Sequence, residues 1–374
     1  MRTILHVITG LEMGGAETAL LRLISGTPPG SYQHQVMTLT PGGAMLPAFS
    51  GARIKVTQFD FRRRPAYSFL QMLRMMRLAR PDIVQTWMYH ADLVGGLAAR
   101  LLGNRRIIWG IRTSGVSPGS RATAGVQRLC AWMSKRVPHT IVCVAEASRK
   151  AHIDKGYDAG RMVVVRNGFT LEKTFHIEPS AALRKSCGFN DTHLVIGNLA
   201  RFDPDKDLEN FVRAAGLLAP LYAQVRFLLI GYRGESERAQ LEDWIAKTGY
   251  ASRFSLLPEC SDPSVCLQAM NIFCLSSRNE GFPNVVGEAM AEGVPCVVTD
   301  VGDTALLVGD TGVVVAKEDA IALASGLNQL LRMSPEGRSR LGRQAAARVR
   351  DCFSVGHTVA QFEAIYNTVM KGRI

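Results

Sequence analysis

Four groups of residues have types and spacings suited to chemistry. The first is Gly10-Leu-Glu-Met-Gly14-Gly15-Ala-Glu17. Paired glycines let a backbone come close to a ligand, and a helix N-terminus offers free N–H groups to phosphate. The spacing is not G-x-G-x-x-G, so the dinucleotide fingerprint is absent. A tight strand-to-helix turn without ligand is the competing reading. The second is Asn198-Leu-Ala-Arg201-Phe-Asp-Pro-Asp-Lys206-Asp207. Arg201 offers a bidentate fork and Lys206 a point charge, a pair suited to a diphosphate and to the charge that builds on a departing nucleotide. Against this, Asp203, Asp205 and Asp207 could neutralise both cations. The D-x-D spellings suit helix caps better than a metal site.

The third group is Glu280-Gly-Phe-Pro-Asn-Val-Val-Gly-Glu288. Glu280 lies in a loop at a strand end. Glu288 lies a turn or more into a helix starting near Asn284, whose N-terminus presents N–H groups to an anion. The two acceptor oxygens of Glu288 can grip a vicinal diol such as a ribose. The alternatives are a solvated helix face for Glu288 and a cap for Glu280. The fourth group is His90, after Trp87-Met88-Tyr89, with Arg112-Thr113-Ser114. Each follows a strand. A lone His is more often structural than catalytic, so this group carries the least weight.

Positioning these groups requires strands that end beside them. Thr3–Thr9, Gln35–Leu39, Lys55–Phe59, Ile83–Thr86, Arg106–Ile111, Thr140–Val144 and Val163–Val165 read as strands, with helical stretches such as Ala16–Ile24 between several of them. A polar stretch from Arg166 to about Asn190, with Asn167-Gly168 and Pro179, breaks the rhythm as a linker would. Strands resume at Leu194–Asn198, Val225–Ile230, Phe254–Leu257, Ile272–Leu275, Cys296–Val298 and Gly312–Val315. Between them lie the helical stretches Asp207–Leu218 and Ser236–Thr248. Short apolar strands alternating with helices predict doubly wound parallel sheets, whose ligands sit at the strand C-termini. The boundaries expected are 1–170, a linker 171–190, 191–354, and a C-terminal segment 355–374. In that segment, the helix His357–Val369 has an apolar face able to pack on either domain.

With 374 residues, 47% apolar and 20% charged, the chain is an ordinary globular protein of two domains. Its net charge of +12 is uneven. Residues 1–190 hold 26 Lys+Arg and 10 Asp+Glu, a net of +16; residues 191–374 hold 18 and 22, a net of −4. A basic half suits nucleic acid, an anionic membrane surface or an acidic substrate. The Arg62-Arg63-Arg64 run suits a solvated loop or contact with an anionic surface. The stretch Phe69, Met72, Leu73, Met76, Leu78 suits a core-facing helix or, with Arg74, Arg77 and Arg80, a membrane surface. The eight cysteines form no C-x-x-C and no zinc-type cluster, which fits a reducing cytoplasm. No signal peptide and no membrane span are expected.

Together these motifs resemble glycosyltransferase family 4, the retaining, nucleotide-sugar-dependent glycosyltransferases of GT-B fold. The resemblance rests on Gly14-Gly15-Ala16-Glu17, Asn167-Gly168, Arg201 with Lys206, and the Glu280-x7-Glu288 run continued by Ala289-Met-x-x-Gly-Val-Pro295. It implies an α/β protein with two Rossmann-like domains facing across a cleft, an N-terminal acceptor domain and a C-terminal donor domain. Gly14 and Gly15 would approach the donor phosphates and the acceptor side. Arg201 and Lys206 would bind the diphosphate, Glu280 the transferred sugar and Glu288 the ribose. The amides around Phe282, Pro283, Asn284 and Val285 would add phosphate contacts.

The implied activity is that of a metal-independent hexosyltransferase, with no cofactor and with the nucleotide-sugar as co-substrate. A UDP-sugar is the favoured donor. The acceptor is a glycan or polyprenyl-diphosphate-linked glycan of bacterial surface polysaccharide, met at the inner face of the plasma membrane. The chain departs from the family pattern at Arg112, where many members have His, at Ala200 in place of Gly, and at Thr170 in place of Asp. A nucleotide-sugar epimerase or hydrolase of the same fold is the second reading. A nucleic-acid-binding protein is a remote third, since no such module is present.

Overall fold

Seven short apolar runs in the first half of the chain become parallel strands in the computed structural model. They are β1 (Arg2–Ile8), β2 (Tyr32–Thr38), β3 (Lys55–Gln58), β4 (Ile83–Trp87), β5 (Ile107–Ile111), β6 (Thr140–Cys143) and β7 (Met162–Val164). Their order is β3-β2-β1-β4-β5-β6-β7. Six more follow: β8 (Leu194–Leu199), β9 (Val225–Tyr232), β10 (Phe254–Pro258), β11 (Ile272–Leu275), β12 (Cys296–Thr299) and β13 (Val313–Val315). These form a second parallel sheet, β10-β9-β8-β11-β12-β13. The structure describes residues 1–115, 121–171, 177–260 and 262–372. Parallel strands must be buried on both faces, which is why β4, β5 and β11 are apolar-rich and fully buried.

The chain divides into two units, Met1–Gly168 with Val355–Ile374, and Phe169–Ser354. The C-terminal helix Val355–Lys371 belongs to the first. Its Val359, Phe362, Tyr366 and Val369 recur at three- and four-residue spacing and are buried among Ile4, Ile8, Leu20 and Trp87. The Tyr366 hydroxyl donates to Gln85 Oε1 at 2.5 Å, which ties the helix to β4.

Two helices fall where the periodicity gave no strong signal. Part of the stretch read as a linker forms the helix Ile177–Ser186 (residues 172–176 lie outside the described residues). Its Arg184 guanidinium donates to the carbonyls of Ala269 and His193 at 2.9 and 2.8 Å, so tertiary bonds hold it. The helix Pro335–Cys352 starts with Ser334, whose Oγ accepts from Gly337 N, and with proline at its first position. Its buried Arg338 donates to Leu330, Leu331 and Met333, covering carbonyls at the end of the preceding helix.

Candidate active site

In each sheet the strand order reverses beside the first strand of the unit, between β1 and β4 and between β8 and β11. Such a reversal sends neighbouring loops in opposite directions and leaves a crevice at the strand C-termini. The predicted residues fall on these loops.

In Phe169–Ser354, Arg201 and Lys206 follow β8, and Glu280 follows β11. The chain after β8 makes one 3-10 turn, Pro204–Lys206, which Asp203 caps by accepting from Asp205 N at 2.9 Å. Asp207 then takes a left-handed conformation, φ 46°, and starts the helix Leu208–Leu218. This sharp turn aims Lys206 at the neighbouring loop. Lys206 Nζ donates to Glu280 Oε1 at 2.6 Å, and Ser277 Oγ donates to the same oxygen at 2.7 Å.

Asp203 and Asp207 do not neutralise the two cations. Asp203 is a cap, Asp207 pairs with Arg278 at 2.8 Å, and Lys206 pairs with Glu280. Arg201 is exposed and has no ion-pair partner among the described residues. It is a cation available to an anion.

Several residues that the motif reading passed over fix this loop pair. Asn198 Nδ2 donates to Cys274 O and Ser276 Oγ, and Ser276 Oγ donates to Lys206 O at 2.8 Å. Thr299 Oγ1 donates to Ser277 O at 2.7 Å. Gly302 has φ +58°, and a Cβ there would lie 2.4 Å from Glu280 O and 2.5 Å from Gly281 O. Only a glycine lets that segment close on the Glu280 loop. Gly231, φ +128°, lets the end of β9 lie against Ala200 O in the same way, just before Arg201. The sequence signal for these residues was faint: small polar residues closing apolar strands, as in Leu275-Ser-Ser and Val298-Thr299.

The helix Asn284–Ala291 begins at Pro283 with no side-chain cap, so its first turn points backbone N–H groups outward. The Phe282 ring is buried against Phe169 and Phe353, with centroids 6.1 and 5.5 Å away. Phe282 therefore anchors the helix start and offers a ligand only its backbone. Asn284 and Val285 are partly exposed, and Glu288 stands half-buried in the second turn. Arg201, Lys206 and Glu280 thus stand on loops at the strand C-termini of this unit, and Glu288 on the helix that follows Glu280.

In the first unit, Gly14 and Gly15 open the helix Gly15–Gly26, which follows the loop after β1. Gly14 is extended, φ −165°, and the Glu17 carboxylate folds back over it, since a Cβ there would meet Glu17 Oε2 at 2.5 Å. His90 follows β4, one residue into the helix Tyr89–Leu101 that Met88 starts at φ 74°. Half-burial lowers its basicity.

Arg112 follows β5 but turns inward. Its guanidinium lies 4.2 Å from the Trp87 ring centroid and 5.9 Å from that of Phe362, and Nη1 donates to Asn167 Oδ1 at 3.1 Å. Burial pushes its pKa down to about 10, which leaves it charged at neutral pH. Its contacts are a cation–π stack and a bond to the Asn167-Gly168 segment.

Among the described residues, no group of three or more His, Cys, Asp or Glu is placed to hold a metal ion. Likewise no described helix is long and apolar enough to cross a membrane.

Known proteins share this architecture. The family described as Glycosyltransferase Family 4 matches residues 13–173, and that described as Glycosyl transferases group 1 matches residues 180–348. The capsular polysaccharide biosynthesis glycosyltransferase CapM of Staphylococcus aureus is 25% identical, over 81% of this chain and 81% of its own. An α-1,3-galactosyltransferase of Escherichia coli, named as acting on a GlcNAc-diphosphoundecaprenol, is 24% identical over 72% of this chain and 70% of its own. The crystal structure of Anabaena HepE in complex with UDP-glucose superimposes with a TM-score of 0.87 at 20% identity, covering 98% of this chain and 100% of that one. The two matched families cover both units, and the likeness to HepE extends over nearly the whole fold. The chain belongs to the glycosyltransferases of family 4 and group 1, with the GT-B fold.

Proposed function

We propose that the chain moves a sugar from a UDP-sugar, with retention and without a metal, to a hydroxyl of a growing bacterial surface glycan. The observation that carries this reading is the Lys206–Glu280 pair at the strand reversal, followed in the chain by the start of the helix Asn284–Ala291. A cation suited to phosphate and a carboxylate suited to sugar hydroxyls there support it. The relatives support the donor and the pathway, since HepE holds UDP-glucose and CapM is named for capsule synthesis.

The diphosphate lies between Arg201, Lys206 and the backbone N–H groups of Phe282, Asn284 and Val285, where negative charge develops as the sugar leaves. Glu280 holds hydroxyls of the transferred sugar, and Glu288 those of the ribose. The departing phosphate oxygen takes the acceptor proton, so no protein base is needed. Residues 191–354 serve the donor and residues 1–170 the acceptor, with Gly14, Gly15 and His90 on the acceptor loops. Arg112 fixes the Asn167-Gly168 segment through its bond to Asn167. The acceptor is a glycan or a polyprenyl-diphosphate-linked glycan, presented at the cytoplasmic face of the membrane.

A thermal-shift screen of UDP, GDP, ADP and their sugars tests the donor. A ligand bound only by the folded state raises the melting temperature, and UDP and its sugars should give the largest rise. A flat response to all of them defeats the proposal.

A further inference from the structure

Tyr89 is the residue before His90, and its hydroxyl is buried in a chain of hydrogen bonds within the first unit. His152 Nε2 lies 2.7 Å from the Tyr89 hydroxyl, and Gln127 Nε2 donates to that hydroxyl at 2.9 Å. His152 Nδ1 lies 2.7 Å from Ser148 O, and Lys155 Nζ donates to Gln127 Oε1 at 3.0 Å. Tyr89, Gln127, Ser148 and His152 are all buried. They stand on the helices Tyr89–Leu101, Arg121–Met133 and Glu146–Ile153.

These contacts assign the protons. A carbonyl only accepts, so His152 Nδ1 carries the hydrogen and Nε2 is left bare. Burial lowers the His152 pKa to about 4, so the ring is neutral at neutral pH. The Tyr89 hydroxyl therefore donates to Nε2 and accepts from Gln127. Lys155 sets the Gln127 amide with its nitrogen towards Tyr89.

The turn that this network reaches is strained. Met88, just before Tyr89, has φ 74° and ψ 158°, a region that residues with side chains rarely adopt. Such a conformation persists only where its surroundings over-determine it. Met88 N donates to Gly110 O at 2.9 Å and Asp92 N to Met88 O at 2.8 Å, which hold the backbone of the turn. The Tyr89 hydroxyl adds a side-chain anchor. The His152 helix also ties a second loop, since Ser148 Oγ lies 3.2 Å from Ser114 Oγ, just past Arg112. A core that needed only stability would be served as well by apolar side chains. This one spends buried polar groups on two loops at strand C-termini.

We propose that His152 and Gln127 are positioning residues for the acceptor loops. Through Tyr89 they keep the Met88 turn in its strained form and so set His90. Ser148 sets the segment after Arg112. This deepens the acceptor reading above and rests on it for the role of His90.

The test compares two substitutions at one position. His152→Gln keeps an acceptor oxygen near the place of Nε2, whereas His152→Asn is too short to reach Tyr89. In His152→Asn and in Tyr89→Phe, amide hydrogen exchange at residues 88–92 should quicken about 3- to 10-fold, the effect of losing one neutral hydrogen bond. Diethyl pyrocarbonate should acylate His90 faster by a similar factor. With UDP-glucose and an octyl-linked N-acetylglucosamine as probes, kcat/KM for the acceptor should fall about tenfold while KM for the donor holds. His152→Gln should restore all three readouts, and every variant should keep the rise in melting temperature with UDP. Unchanged exchange at residues 88–92 in Tyr89→Phe overturns the proposal, because the turn then stands without the hydroxyl. So does a His152→Gln variant that behaves like His152→Asn, or a loss that falls equally on donor and acceptor, since the network would then serve only the core. A wild type that turns over neither probe and shows no rise with UDP defeats the proposed function, and the exchange and acylation rates still decide the hold on His90.

Discussion

Lys206 and Glu280 lie 74 residues apart in the chain, yet Nζ and Oε1 meet at 2.6 Å where two strand ends diverge. Their side chains are 22% and 10% exposed, so the pair is screened from most solvent. Each group orients the other. Glu280 keeps the ammonium from folding into water, and Lys206 with Ser277 fixes one carboxylate oxygen.

Lys206→Ala should therefore lower transfer by about 10²- to 10³-fold, the usual loss when one charge-stabilising group is removed. It should also abolish most of the thermal shift given by UDP. Glu280→Gln keeps an acceptor for Ser277 and Lys206, so UDP should still bind while transfer falls. Steady-state rates with a matched donor and acceptor, read beside the two melting curves, separate these outcomes. Full activity in Lys206→Ala would refute the assignment.

For Glu288 the role proposed is the ribose, and a matched pair of ligands isolates it. A charge-assisted hydrogen bond is worth about 1.5–3 kcal/mol, so Glu288→Ala should weaken UDP about 10- to 100-fold. The wild type should bind UDP more tightly than 2′,3′-dideoxy-UDP, and the variant should bind both equally. If the variant still prefers UDP, the ribose is held elsewhere.

Gly302 gives a test that touches no ligand. An alanine at φ +58° costs about 1 kcal/mol in conformation alone, and its Cβ would sit 2.4 Å from Glu280 O. The Glu280 loop must move to admit it. Gly302→Ala should lose stability by about 1–3 kcal/mol and lose transfer disproportionately, with donor KM changed less than kcat. Urea titration and rate measurements on one preparation check both. Wild-type rates would show that the loop tolerates displacement.

Much of this was legible in the residues. Alternating apolar runs marked the strands to within a few residues, because a fully buried parallel strand admits little polarity. Glycines and charges just past those runs marked the candidate site. Side-chain direction was not legible. Arg112 reads as a cleft residue by its place after β5, yet Trp87, Asn167 and Phe362 draw it inward, and these come from three other parts of the chain. The clamp of Ser276, Ser277, Thr299 and Gly302 around Glu280 was hidden for the same reason. Its members are ordinary small residues until the sheet order brings β8, β11 and β12 together.

Asp92 lies beneath the first unit's loops and predicts a pH dependence. It is fully buried; Oδ1 accepts from Thr86 Oγ1 at 2.5 Å and Gly110 N at 3.3 Å, and Oδ2 has no hydrogen-bond partner among the described residues. Burial raises its pKa from 3.8 to about 8, so the folded chain holds a proton there that the unfolded chain has released. Stability therefore falls as pH rises from 3.8 towards 8. His34 and His152 act oppositely. Burial lowers each from 6.5 to about 4, so each makes the fold less stable as pH drops across that interval. In Asp92→Asn the amide oxygen keeps both acceptor bonds and cannot ionise. The melting temperature of the variant relative to wild type should rise steadily between about pH 5 and about pH 8, while the histidine effect cancels in the difference. A constant difference over that range would mean that Asp92 is ionised in the fold.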